Sequence, residues 1–81
     1  NRYYWGVVVP MLGKHFGYTK SEMHEALKWQ FLRKPEADPP TVGSTRKLST
    51  EEFNNYIESI QVWAASEYSI VIPDPNEVEG V

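Results

Sequence analysis

The side chains of this sequence that can do chemistry are few, and they do not form a catalytic pattern. His15 and His24 lie outside the spacing of a His-Glu-x-x-His metal motif. Glu51 and Glu52 follow Ser49 at a predicted helix start, where capping and the helix dipole account for both carboxylates. The chain has no cysteine, no glycine-rich phosphate loop and no Gly-x-Ser-x-Gly elbow. We therefore predict a non-enzymatic protein with no catalytic residue, metal site, cofactor or small-molecule substrate.

An aromatic cluster beside an arginine indicates a binding role instead. Tyr3, Tyr4 and Trp5 follow Arg2 directly. Aromatic rings with a nearby guanidinium group hold single-stranded nucleic acid without sequence choice, because every base has a face that stacks. Three consecutive aromatic residues span about 200° of a helix, so at least one is expected to be exposed or at an interface. Tyr4 and Trp5 flank the apolar face, which leaves Tyr3 as the predicted exposed ring; packing in the core or an interface is the alternative for all three.

The charges are divided along the chain. All eight basic residues lie at or before Lys47 and share residues 1–50 with four acidic ones, a balance of +4. Residues 51–81 carry seven acidic residues and stand at −7. A basic half binds phosphates only if folding places its charges on one face; otherwise the charges simply solvate their helices. The predicted nucleic-acid contacts are Arg2, Tyr3, Trp5, Lys14, Arg46 and Lys47.

Length and composition indicate one small globular domain over residues 1–81. Hydrophobic residues make up 41% and charged residues 23% of the 81 positions. The longest apolar run, Val7–Leu12, is too short to span a bilayer, so no membrane association is expected. The absence of cysteine favours a reduced, cytoplasmic environment. Because the chain begins with Asn1 and opens within a predicted helix, we expect it to be a fragment that lacks an upstream part.

The apolar periodicity predicts a mainly α fold of three helices. The first covers residues 2–16, is disturbed at Pro10 and ends at Gly17. A capping box at Thr19 starts the second, which runs to about Arg33 and pairs with the first as a helical hairpin. A second capping box, at Ser49, starts the third.

The remaining segments are predicted to be irregular or extended. Three prolines and a glycine between residues 35 and 46 exclude helix and indicate a long exposed loop. Residues 69–72 can form at most one short strand before Pro73. Residues 74–81 are predicted to be an acidic tail.

With these elements in order, the chain resembles the NinB family of phage recombination proteins, which includes lambdoid Orf-like recombination mediators. The resemblance covers nearly the whole chain. It is carried by Asn1-Arg2-x-x-Trp5, Ser44-Thr45-Arg46-Lys47-Leu48, Glu52-Phe53, Ile57-Glu58-x-Ile60-Gln61 and the Ile-Pro-Asp run at 72–74. The family fold is α+β with a sheet-forming region upstream, so the resemblance implies that this chain is the helical C-terminal portion.

The resemblance also implies a function. It is binding of single-stranded DNA and of single-strand-binding protein during phage recombination in a bacterial host cell, usually as a homodimer. The matching positions expected to face DNA are Arg2, Trp5 and Arg46. The alternative is a protein-interaction or homodimerisation domain with no nucleic-acid role, in which surplus aromatic residues form the interface and the loop 35–46 docks a partner.

Overall fold

Three helices make up most of the described chain. A computed structural model describes residues 2–34, 36, 39 and 41–75. The helices are α1 (Val9–Phe16), α2 (Lys20–Leu32) and α3 (Thr50–Tyr68). The predicted mainly α, three-helix fold class is confirmed.

A π-helical turn, Tyr4–Val8, precedes α1 and continues into it. Within this turn the Val9 N–H donates to the Tyr4 carbonyl, five residues back. Pro10 has no N–H to offer the Gly6 carbonyl, so the regular α-helical bond is absent there. The wider turn therefore lies where the sequence predicts that Pro10 disturbs the first helix.

The helix ends follow the local rules of the sequence. Gly17 adopts φ 78°, the left-handed conformation that terminates α1. At the start of α2 the Thr19 N–H donates to the Glu22 carboxylate over 2.9 Å, and the Glu22 N–H donates back to the Thr19 hydroxyl over 3.1 Å. Ser49 and Glu52 repeat this capping box at α3, with distances of 2.8 and 3.1 Å. Both predicted capping boxes are confirmed.

The turn between α1 and α2 brings two backbone segments into close contact at Gly13. The Tyr18 N–H donates to the Gly13 carbonyl over 2.8 Å. A Cβ atom at Gly13 would lie only 2.8 Å from the Tyr18 carbonyl oxygen, whereas a Cβ at Gly6 would meet nothing within 4 Å. The hairpin of α1 and α2 thus depends on glycine at position 13 but not at position 6.

We expect Gly13→Ala to lower the free energy of unfolding by about 1–3 kcal/mol, because the backbone must shift to admit the methyl group. Gly6→Ala is the matched control and should be neutral or slightly stabilising, since alanine is the better helix former. Urea denaturation followed by circular dichroism measures both. Equal stability of the two variants would contradict the close packing of this turn.

The extended structure lies elsewhere than predicted. Strands β1 (Arg33–Lys34) and β2 (Thr41–Val42) pair antiparallel, whereas 69–72 forms no strand in the described chain. Ser69 adopts a left-handed conformation with φ 57° and turns the chain away from α3. Ile70 and Ile72 then pack on the core instead of pairing in a strand.

The predicted loop 35–46 is correspondingly shorter in the structure. Its end pairs as β2, and a 3-10 turn, Thr45–Lys47, leads towards α3. The prediction that this segment excludes helix is therefore wrong for that one turn. The Ser44 hydroxyl accepts a bond from the Arg46 N–H over 3.3 Å and so caps the turn. Residues 35, 37, 38 and 40 of the predicted loop lie outside the described residues.

The core is formed by the inner faces of the three helices and by the segment that follows α3. Its most deeply buried members come from the π-helical turn, α1, α2 and α3. The buried residues are Tyr3, Tyr4, Val8, Val9, Leu12, Met23, Leu27, Tyr56, Ile57, Ile60, Ala64 and Ile72. The apolar faces predicted for the helices thus meet one another.

The prediction that Tyr3 is the exposed ring is wrong. Tyr3 is buried, and its hydroxyl donates to the Pro73 carbonyl over 2.7 Å and accepts from Gln61 Nε2 over 2.9 Å. The segment after α3 folds back over this ring, with Ile72 in the core and Gln61 3.5 Å from Asp74 Oδ1. Helical periodicity alone does not show that a segment distant in sequence covers the Tyr3 ring. Residues 76–81 of the predicted acidic tail lie outside the described residues.

None of the helices in the described part of the chain is long and apolar enough to cross a membrane.

Candidate functional site

A cleft of about 880 Å³ lies between the π-helical turn, α2 and the segment that leads into α3. Its volume falls in the range of about 300–1,000 Å³ that small-molecule and cofactor sites occupy. Aromatic rings, cationic side chains, hydroxyls and one amide line it. The lining residues are Tyr4, Trp5, His24, Lys28, Ser44, Thr45, Arg46, Leu48, Ser49, Thr50, Phe53 and Asn54.

Trp5 provides the exposed aromatic surface of the cleft. It is 39% exposed, whereas the neighbouring Tyr4 is 1% exposed. The Trp5 ring contacts Tyr4 edge to face, with centroids 5.4 Å apart, and lies 4.5 Å from the His24 ring. These two contacts restrain the indole, so a ligand that stacks on it loses little of its binding free energy to ordering the side chain.

A buried hydrogen-bond chain lies behind Trp5 and joins three elements. The Tyr4 hydroxyl lies 2.7 Å from His24 Nδ1 on α2 and 2.9 Å from the Tyr56 hydroxyl on α3. Burial raises the pKa of Tyr4 to about 12, and burial also raises the pKa of Tyr56. Both hydroxyls therefore stay protonated at neutral pH and serve as neutral donors and acceptors.

His24 lies between the buried hydrogen bonds of Tyr4 and Tyr56 and the cleft. Partial burial lowers the pKa of the imidazole, and the charge of Lys28 lowers it further, while Glu25 opposes both. The pKa of His24 thus lies below its ordinary value of about 6.5, and the ring is mostly neutral at pH 7. Its aromatic face is then available to support Trp5 without adding charge.

The charged groups of the cleft are cationic. Lys28 and Arg46 line it, and no aspartate or glutamate is among its described lining residues. Two acids close in sequence to lining residues are engaged: Glu25 lies 3.3 Å from Lys28 Nζ, and Glu52 accepts from the Ser49 N–H. That backbone hydrogen bond is the main reason that the pKa of Glu52 is lowered. The cleft is therefore suited to an anionic ligand with a flat ring.

The structure brings together only part of the predicted site. Trp5 and Arg46 lie on the same cleft. Arg2, Lys14 and Lys47 are exposed but do not line it. Tyr3 is buried and cannot stack on a ligand in this structure.

Most of the lining residues were not among the predicted contacts, and two of these, His24 and Lys28, bear on the electrostatics of the cleft. His24 and Lys28 are four residues apart on α2, and so share one face of the helix. That spacing was a visible signal, yet neither residue belongs to a recognised motif. What selects them is that they line the same cleft as Arg46, which only the tertiary structure shows.

A second group of aromatic rings, the aromatic face, lies around a smaller depression formed by α1, α2 and α3. It consists of Phe16, Tyr18, Trp29, Trp63 and Tyr68. Tyr18 and Trp29 are each 49% exposed, and Tyr68 is 45% exposed. The Arg33 guanidinium lies 4.8 Å from the centroid of the Trp29 ring. This face exposes more aromatic surface than the cleft does.

Comparison with protein-family models, with curated proteins and with solved structures gave no match for this chain. The resemblance to the NinB family therefore stays a prediction.

Proposed function

We propose that this chain is a non-catalytic module that binds single-stranded DNA in the cleft. The observation that carries the proposal is the placement of the exposed Trp5 ring and the Arg46 side chain on one cleft lined by no described acidic residue. Stacking on an aromatic ring and phosphate contacts from cations are the two interactions by which proteins hold a single strand.

Each side of the cleft has its own part in this binding. An unpaired base stacks on Trp5, while Arg46 and Lys28 contact the phosphates on either side of it. A base inside a duplex is already stacked on its neighbours and does not reach a ring in a recess, so the cleft favours single strands. Ser44, Thr45 and Asn54 offer hydrogen bonds to sugar or phosphate oxygens without reading sequence.

The resemblance to the NinB family extends this proposal to a biological setting. The module would act in phage recombination inside a bacterial host cell, where it would bind single-stranded DNA, single-strand-binding protein or both, as a homodimer. No catalytic step is needed for such a role.

Fluorescence polarisation of labelled oligo-dT at several salt concentrations tests the proposal. Affinity should fall steeply with salt, and Arg46→Gln should reduce both the affinity and the slope of log K against log salt, by about 0.7 for one lost phosphate contact. Lys14→Gln is the matched control, since Lys14 is an exposed cation outside the cleft. Absence of binding at low salt, or an affinity indifferent to salt, would overturn the proposal.

The aromatic face supports a second candidate function, self-association of two copies of this chain. Its exposed tyrosine and tryptophan rings are residue types enriched at protein interfaces. In this case Trp29→Ala should convert a dimer into a monomer in light scattering, whereas Trp5→Ala should leave the dimer intact. A wild-type chain that is monomeric at about 100 µM, far above the dissociation constant of a stable dimer, would contradict this candidate.

A further inference from the structure

The His24 imidazole has one nitrogen in the buried hydrogen-bond chain and a second that is not used there. Nδ1 lies 2.7 Å from the Tyr4 hydroxyl. Nε2, on the other edge of the ring, makes no hydrogen bond with any residue of the described chain. Because His24 lines the cleft, Nε2 can serve as a donor to a ligand there.

The hydrogen bonds that join His24, Tyr4 and Tyr56 accommodate both protonation states of His24. With a neutral ring whose hydrogen is on Nε2, the Tyr4 hydroxyl can donate to Nδ1 and accept from the Tyr56 hydroxyl. With a protonated ring, the Nδ1–H donates to the Tyr4 oxygen, and the Tyr4 hydroxyl turns to donate to the Tyr56 oxygen. Rotation of the hydroxyl protons is enough for this change. Both hydrogen bonds are therefore kept when His24 is protonated, with the Tyr56 O–H then pointing away from Tyr4.

Partial burial of the ring and the charges around it together decide which protonation state is populated. Lys28 on the same helix and Arg46 in the 3-10 turn are positive and line the same cleft, and Glu25 is paired with Lys28. Tyr4 and Tyr56 are neutral. Burial first and the positive charge of Lys28 second lower the pKa of His24, so the ring is disfavoured as a cation in the empty cleft. A phosphodiester between Lys28 and Arg46 would reverse that balance by adding a negative charge beside the ring.

We propose that His24 takes up a proton from solvent when a phosphodiester enters the cleft, so that single-stranded DNA binds more tightly at pH 6 than at pH 8. In the bound state both ring nitrogens carry hydrogen: Nδ1–H donates to Tyr4, and Nε2–H donates to a phosphate oxygen. This inference rests on the proposed function, because it requires that a phosphate-bearing strand occupies the cleft.

The direction of the effect follows from linkage. The complex binds more protons than the free protein between the lowered pKa of free His24 and its raised pKa in the complex, so affinity increases as pH falls through that interval. One proton gives at most a tenfold change per pH unit, and we expect about a fivefold gain from pH 8 to pH 6. A phosphodiester does not titrate in this range, whereas a terminal phosphate does, with a pKa near 6.

The test uses oligo-dT without a terminal phosphate, carrying a rhodamine label whose emission does not depend on pH. Polarisation titrations at pH 6, 7 and 8 and constant ionic strength compare the wild type with His24→Asn, in which an amide replaces Nδ1. His15→Asn is the matched control, because His15 is the other histidine and lies outside the cleft. We expect the wild type and His15→Asn to show the fivefold gain and His24→Asn to change by less than about twofold.

Calorimetry of the wild type provides a measurement that does not depend on any variant. Binding enthalpies in two buffers of different ionisation enthalpy should show uptake of about half a proton per site near pH 7. Zero uptake, or the same pH dependence in the wild type and in a folded His24→Asn variant, would overturn the inference and leave the proposed function intact. No binding of oligo-dT at any pH at low salt would overturn both.

Discussion

Trp5→Ala is expected to lower the affinity for oligo-dT about tenfold. Removing a ring on which a base stacks costs about 1–3 kcal/mol of binding free energy per base, and 1.4 kcal/mol corresponds to a factor of ten. Trp5 is the exposed ring of the cleft, held against Tyr4 and His24 before any ligand arrives. Fluorescence polarisation at low salt measures the change, and Trp5→Phe should recover part of the affinity because a smaller ring still stacks.

Trp29→Ala is the matched control for this experiment. Trp29 is more exposed than Trp5 but belongs to the aromatic face and does not line the cleft. Its loss should leave oligo-dT binding within about twofold of the wild type, since no base stacks there. Equal losses in the two variants would show that the effect of Trp5→Ala is not specific to the cleft, and a Trp5→Ala variant with wild-type affinity would remove the stacking role from Trp5.

Leu12→Ala should lower the free energy of unfolding by about 3 kcal/mol. Leu12 has no exposed surface and belongs to the core between the helices, so truncation removes buried apolar surface and leaves a cavity. For a domain of this length the whole free energy of unfolding is about 4–12 kcal/mol. The variant should therefore show a clearly lower urea midpoint, measured by circular dichroism at 222 nm.

The neighbouring Met11→Ala variant is the control. Met11 lies next to Leu12 on α1 but is 38% exposed. Its truncation should cost less than about 1 kcal/mol, because part of the side chain already contacts water and alanine favours helix. A Leu12→Ala variant no less stable than Met11→Ala would show that α1 does not pack as described.

The helices could be predicted because their signals are local. The capping boxes at Thr19 and Ser49 and the left-handed Gly17 depend on residues within one turn, and each occurs where the sequence indicates it. The strand pair could not be predicted in this way. Arg33 and Lys34 are too few to show an alternating pattern, and they pair with residues beyond a proline-rich segment.

The candidate site was only half visible in the sequence for a related reason. Trp5 and Arg46 were predicted from residue type and from the resemblance, and both line the cleft. His24 and Lys28 were not, because their role comes from lining the same cleft as Arg46, which is distant in sequence. Tyr3 was wrongly predicted to be exposed, because a segment about 70 positions later covers it.

The bond between Tyr3 and Pro73 also bears on the order of folding. It joins residues 70 positions apart, whereas each capping box joins residues three apart. Closing so long a loop is entropically costly until the intervening helices are in place. We therefore expect the Tyr3–Pro73 hydrogen bond to form last and to open first. The described walls of the cleft lie between residues 4 and 54. The two ends of the described chain can therefore separate transiently while the cleft keeps its shape. Opening of the Tyr3–Pro73 hydrogen bond is then a local event and not the beginning of global unfolding.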